Sequence, residues 1–80
     1  MYTILNYLIS ESDKDFIALE KELDLVAAEV DFDYKIYNKR NKVIVAIRLP
    51  EEKKPMFEQY VGKFMKRSYI GAYTCNKKDS

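Results

Sequence analysis

The sequence predicts an α+β fold, four strands and two helices in the order strand, helix, hairpin, helix, strand. Three observations predict it. Val30, Phe32, Tyr34 and Ile36 alternate with Asp31, Asp33 and Lys35, and Val43, Val45, Ile47 and Leu49 repeat that period of two after Asn38-Lys39-Arg40-Asn41. On either side of this pair, apolar residues recur at helical spacing. Short runs rich in β-branched and aromatic residues open and close the chain.

Tyr2 to Ile9 has no breaker and reads as the first strand. Ser10 or Ser12 can cap the helix that follows, with Asp13 and Asp15 in its first turn, where carboxylates favour the helix dipole. Phe16, Leu19 and Leu23, with Ile17 beside them, give that helix an apolar side. Its end is open, because Leu25-Val26-Ala27-Ala28 suits a last turn or a strand start. Folding the two alternating runs around the four-residue loop Asn38–Asn41 pairs Ile36 with Val43, Tyr34 with Val45, Phe32 with Ile47 and Val30 with Leu49. That register makes one face wholly apolar and sets Asp31 across from Arg48.

Pro50 ends the hairpin, and Glu51 and Glu52 suit a helix start. Phe57, Tyr60, Val61, Phe64 and Met65 then make one wide stripe that predicts a single second helix, with Lys66 and Arg67 at its C-terminal end. Gly62 lies inside this stripe, at a cost of up to about 1 kcal/mol, and marks a place where another element comes close. Tyr69 to Cys75 is the last strand. Residues 1–75 make a single domain, and Asn76 to Ser80 a short polar tail.

Composition narrows the function. In 80 residues, 48% apolar and 34% charged with a net charge of +1, there is material for one small core and no sign of disorder. Histidine is absent, which removes the usual general base and the commonest metal ligand. Cys75 is the single cysteine, so no internal disulfide forms and a reducing, cytoplasmic setting is expected. The apolar start lacks a basic flank and runs into Glu11, Asp13 and Asp15, unlike a signal peptide, and no membrane role is expected. Charge is uneven along the chain. Up to Asp33 there are nine acidic and two basic residues, and from Tyr34 onward twelve basic and four acidic. Such asymmetry marks a polyanion site or head-to-tail association, unless folding interleaves the two signs.

The βαββαβ order of elements resembles the ferredoxin-like superfold, which implies a single four-stranded antiparallel sheet with both helices on one face, its first and third strands central and flanked by the fourth and second. The resemblance implies one sheet face left bare by the helices. On the first strand Leu5, Tyr7 and Ile9 point one way and Tyr2, Ile4 and Leu8 the other, with Asn6 marking the second set as outward. The third strand adds Ile44 and Ala46 to that outward face, and the last strand adds Tyr69 and Tyr73. A contiguous apolar patch of this kind binds something.

RNA-recognition motifs share the topology and stack bases on sheet aromatics. Their third strand carries a basic-Gly-aromatic run, whereas Lys42-Val43-Ile44-Val45-Ala46-Ile47-Arg48 has neither glycine nor aromatic. A different RNA surface is available in Lys35, Tyr37, Lys39, Arg40 and Lys42 at the hairpin tip, with Lys63, Lys66 and Arg67 at the end of the second helix. Two enzyme families with this fold lack their chemistry here. Ser10-Glu11-Ser12-Asp13 is not the glycine-rich, arginine-bearing loop of acylphosphatases. The opening strand is similar to that of the CRISPR adaptation nuclease-fold subunit, but Leu8 stands at the metal-binding aspartate. Glu29, Asp31 and Asp33 on one strand face offer a weak divalent-cation row.

The expectation is therefore a non-enzymatic protein with no cofactor, no metal and no small-molecule substrate. It acts by occupying a macromolecular partner, as an inhibitor or adaptor of the sort that phages use against host systems. It self-associates through its open sheet face, as a homodimer or larger assembly. RNA binding through the basic set is the alternative.

Overall fold

The computed structural model describes residues 1–75, and the polar tail expected over 76–80 lies outside the described residues. The chain is α+β, a four-stranded antiparallel sheet with helices. Strands β1 (Tyr2–Ser10), β2 (Asp33–Lys39), β3 (Lys42–Pro50) and β4 (Tyr69–Cys75) lie in the order β2-β3-β1-β4. The two central strands, β1 and β3, pair over their full lengths from Tyr2↔Pro50 to Ser10↔Lys42. Among the described residues no helix is long and apolar enough to cross a membrane.

Helix α1 (Asp13–Ala27) begins where the serines predict. Ser12 is the N-cap, its Oγ accepting from the Asp15 amide at 3.2 Å. Asp15 returns the favour to the strand end, its Oδ2 accepting from the Ser10 amide at 3.1 Å and the Ser10 hydroxyl at 2.6 Å. These two bonds hold the Asp15 carboxyl below its ordinary range, helped by the charges of Lys14 and Arg67. Leu19, Leu23 and Val26 face the core, so the ambiguous Leu25–Ala27 segment resolves as the last helical turn. Ile17, expected on the apolar side, is exposed instead.

The core lies between the helices and one sheet face. Leu5, Tyr7 and Ile9 of β1 meet Val43, Val45, Ile47 and Leu49 of β3, all buried, as the two-residue period requires. Val30 reaches this core from the connection before β2, and Phe32 packs edge-on against Phe57 with ring centroids 5.3 Å apart.

Two expectations need correction. The hairpin loop has two residues, not four. Arg40 and Asn41 both take positive φ, 41° and 65°, which is the pattern of the tight primed turn that matches strand twist. Asn38 and Lys39 thereby join the strand, and the register moves by two residues: Ile36 pairs with Val45 and Tyr34 with Ile47. A two-residue shift keeps every side chain on its face, so the parity argument survives while each partner changes. Arg48 accordingly meets Asp33, not Asp31, at 3.1 Å.

The second correction concerns the single stripe-bearing helix. After a 3-10 turn (Glu51–Lys53) the chain forms α2 (Lys54–Tyr60), breaks at Val61 and Gly62, and resumes as α3 (Lys63–Ser68). Val61 is extended, with ψ 147°, yet stays buried, as do Phe57 and Met65. Glu22 of α1 causes the break to be tolerable. Its two carboxylate oxygens accept from the Phe64 and Met65 amides at 3.1 and 3.0 Å, supplying partners for donors that a new helix start leaves open.

Candidate functional site

Cross-strand partners share a face, so the registers sort the side chains without ambiguity. Even-numbered positions of β1 and β3 turn away from the helices, together with odd-numbered positions of β2. On β4 the partner of Ile4 is Tyr73 and that of Asn6 is Gly71, so these also belong to the open face.

A bulge then intervenes. The β1–β4 register shifts between Asn6 and Tyr7, which brings Tyr69 opposite Tyr7. Tyr69 therefore lies on the helix side, its ring 5.6 Å from that of Tyr7, and not in the open-face patch where the period of two placed it. Burial raises the Tyr7 phenol above its ordinary pKa, with Glu58 and Tyr69 adding to the effect.

The open face holds a groove of about 510 Å³ in mid-sheet, lined by Ile4, Asn6, Asp33, Tyr34, Lys35, Tyr37, Ala46, Arg48 and Tyr73. Ile4 lies between its cross-strand neighbours Arg48 and Tyr73 and is only 6% exposed. Tyr37 and Tyr73, on strands at opposite edges of the sheet, are 50% and 58% exposed. Of the residues that the sequence placed in the patch, Ile4, Ala46 and Tyr73 line this groove. Leu8 and Ile44 pair farther toward the hairpin end, half-buried, and Tyr2 lies at the other end against Pro50 and Cys75.

Asp33, Arg48 and the contribution of Asn6 are missing from the patch that the sequence predicts, and Tyr34 borders the groove although its register with Ile47 puts its side chain on the helical side. Parity alone reveals Asn6 and Arg48. Asp33 joins them only through the corrected register, in which it holds the Arg48 guanidinium across the groove floor. The groove is thus more polar than an apolar patch: amide, ion pair, lysine and two phenols surround a small aliphatic floor.

The basic set divides. Lys35, Tyr37, Lys39 and Lys42 share the open face, and Arg40 is at the turn beside them. Lys63, Lys66 and Arg67 belong to α3, in the helical layer, where Lys66 borders a separate small hollow of about 170 Å³ with Tyr7, Glu58, Val61 and Tyr69. The sequence-level charge split is therefore half interleaved. Acidic α1 and basic α3 sit together in the helical layer, whereas the open face keeps its positive excess.

The acidic row expected on β2 does not form. β2 starts at Asp33, leaving Glu29 and Asp31 in the preceding connection, and the described residues contain no group of three or more acidic, cysteine or histidine side chains placed to hold a metal ion. Comparison with protein-family models, curated proteins and solved structures gives no match for this chain.

Proposed function

We propose that the chain is a non-enzymatic binding protein of ferredoxin-like architecture that acts by occupying a macromolecular partner, as an inhibitor or adaptor. The observation that carries this reading is the open-face groove, bounded by two half-exposed tyrosines and floored by Ile4 and Ala46. Tyrosine supplies a large contact area at small entropic cost, with a hydroxyl at its tip, and is enriched wherever one protein holds another. The central position of β1 and β3, between β4 and β2, supports the ferredoxin-like reading. A photo-crosslinking residue at Tyr73 or at Tyr37 should trap one and the same partner from the native cell. The same group at Leu25, exposed on α1, should not. Equal trapping from all three positions would refute the groove as the docking surface.

A second reading is favoured by one specific observation. Lys35, Tyr37, Lys39 and Lys42 lie on the face that carries the groove, an arrangement that suits phosphates beside stacked bases. If the partner is RNA, Arg40→Glu with Lys42→Glu weakens binding of a labelled single strand, measured by anisotropy, and flattens its salt dependence. Unchanged binding removes this reading.

A further inference from the structure

We propose that two copies of the chain join edge to edge through β2, antiparallel and centred on Ile36, to make one continuous eight-stranded sheet. This proposal does not rest on what occupies the groove.

The two edges of the sheet differ. β4 carries a bulge, and Gly71 takes φ +148°, so that edge is bent in the way that edges are commonly protected. β2 has neither bulge, glycine nor proline. It pairs with β3 without interruption from Asp33↔Arg48 to Lys39↔Lys42, and all seven of its residues are exposed. Tyr34 and Ile36 face the helical side yet stay 49% and 42% exposed, beyond the cover of the helices.

The turn decides which backbone groups are free. In a two-residue hairpin the pair that closes the loop, here Lys39 and Lys42, exchanges both hydrogen bonds, and the pattern alternates from there. Lys39, Tyr37, Lys35 and Asp33 thus direct their N–H and C=O groups to β3. Tyr34, Ile36 and Asn38 direct theirs outward, which is the template that a further strand requires.

Charge selects the occupant. A two-fold axis through Ile36 pairs Ile36 with itself and Tyr34 with Asn38 of the second copy, so every outward N–H and C=O of these residues finds a partner. On the open face the same register sets Asp33 against Lys39 on both sides of the axis and Lys35 against Tyr37, an ion pair twice over and a cation–π contact. Neighbouring registers are penalised. Centring on Lys35 puts Lys35 against itself, and centring on Tyr37 puts Lys35 against Lys39. The lysines, which on an edge usually discourage pairing, here choose one register.

Light scattering on the 80-residue chain should give twice the 9.5 kDa protomer mass. Asp33→Lys alone and Lys39→Asp alone each place like charges across both ends of the interface and should return it to one protomer mass. The swap of the two in one chain should restore the dimer. Ile36→Lys, at a half-exposed site that leaves the core untouched, sets two charges on the axis and should also yield monomer with an unchanged circular dichroism spectrum. A wild type that stays monomeric at its highest soluble concentration overturns the proposal. So does an oligomer that survives both Ile36→Lys and the single charge reversals.

Discussion

The Glu22 carboxylate of α1 occupies the space that a β-carbon on Gly62 would need. The two positions lie on elements distant in sequence, and their closeness explains both the break between α2 and α3 and the residue found there. Gly62 has φ −85°, so its backbone is open to any residue, and it is the neighbour's carboxylate, not the backbone, that selects glycine. From its position Glu22 caps the Phe64 and Met65 amides.

Gly62→Ala should therefore displace Glu22 and forfeit the cap, whose outright removal in Glu22→Ala costs about 1 kcal/mol, and lose less than that by the amount that alanine stiffens the unfolded chain. In the Glu22→Ala background the clash is gone and only the stiffening of the unfolded chain remains, so Gly62→Ala should there be neutral or stabilising by about 0.4–1 kcal/mol. Denaturant melts of the four proteins check this. Additive losses would mean that the two residues do not compete for the same space.

Arg40 is the costlier half of the hairpin turn, since a left-handed backbone disfavours a long side chain more than asparagine or glycine. Arg40→Asn with Asn41→Gly should stabilise by about 1 kcal/mol, raising Tm by about 4–8 °C in a domain of this size. Calorimetry of the double variant reads it directly.

Tyr7 makes stability sensitive to alkali. Its phenol titrates above the ordinary 10.0 in the folded protein, chiefly because it is buried and also because Glu58 and Tyr69 lie near. Below pH 10 both folded and unfolded states keep the proton. As pH rises past 10 the unfolded chain releases it first, so stability falls. Tyr7→Phe should move the alkaline unfolding midpoint, followed by circular dichroism, to higher pH.

Asp15 acts on the opposite limb. Its carboxyl is held below the ordinary 3.8, first by the Ser10 hydroxyl and amide, so its contribution is present above that value and lost as pH falls through the folded pKa. Asp15→Asn should be less stable than wild type near neutrality, and the difference should close in acid. Chemical denaturation across that range measures it.

Much of the frame was legible because periodicity reports which face a residue takes. Val43, Val45, Ile47 and Leu49, and likewise Leu5, Tyr7 and Ile9, are buried as their alternation requires. Registers were less legible. Arg40 gives no local sign of a positive φ, and with a longer loop assumed, Asp31 took the place of Asp33 opposite Arg48. A period of two misplaces Tyr69 for a similar reason: a bulge adds one residue, and everything before it changes side. Gly62 announced a close approach, but nothing in the stripe from Phe57 to Met65 names Glu22 as the group that approaches. In the candidate site, Ile4, Ala46 and Tyr73 followed from parity, while the Asp33–Arg48 pair required the true turn.

The order β2-β3-β1-β4 also has a consequence in time. The hairpin of β2 and β3 closes across two turn residues and can form early. β1 must then find β3 across the whole of α1 and the hairpin, and β4 from the far end of the described chain, with Tyr2 opposite Cys75. Closing such long loops costs entropy before any contact repays it, which slows the search. Until β1 arrives, the apolar side of the hairpin stands without its central neighbour and β4 has no strand to pair with, so the docking of β1 is the step on which completion of the sheet depends.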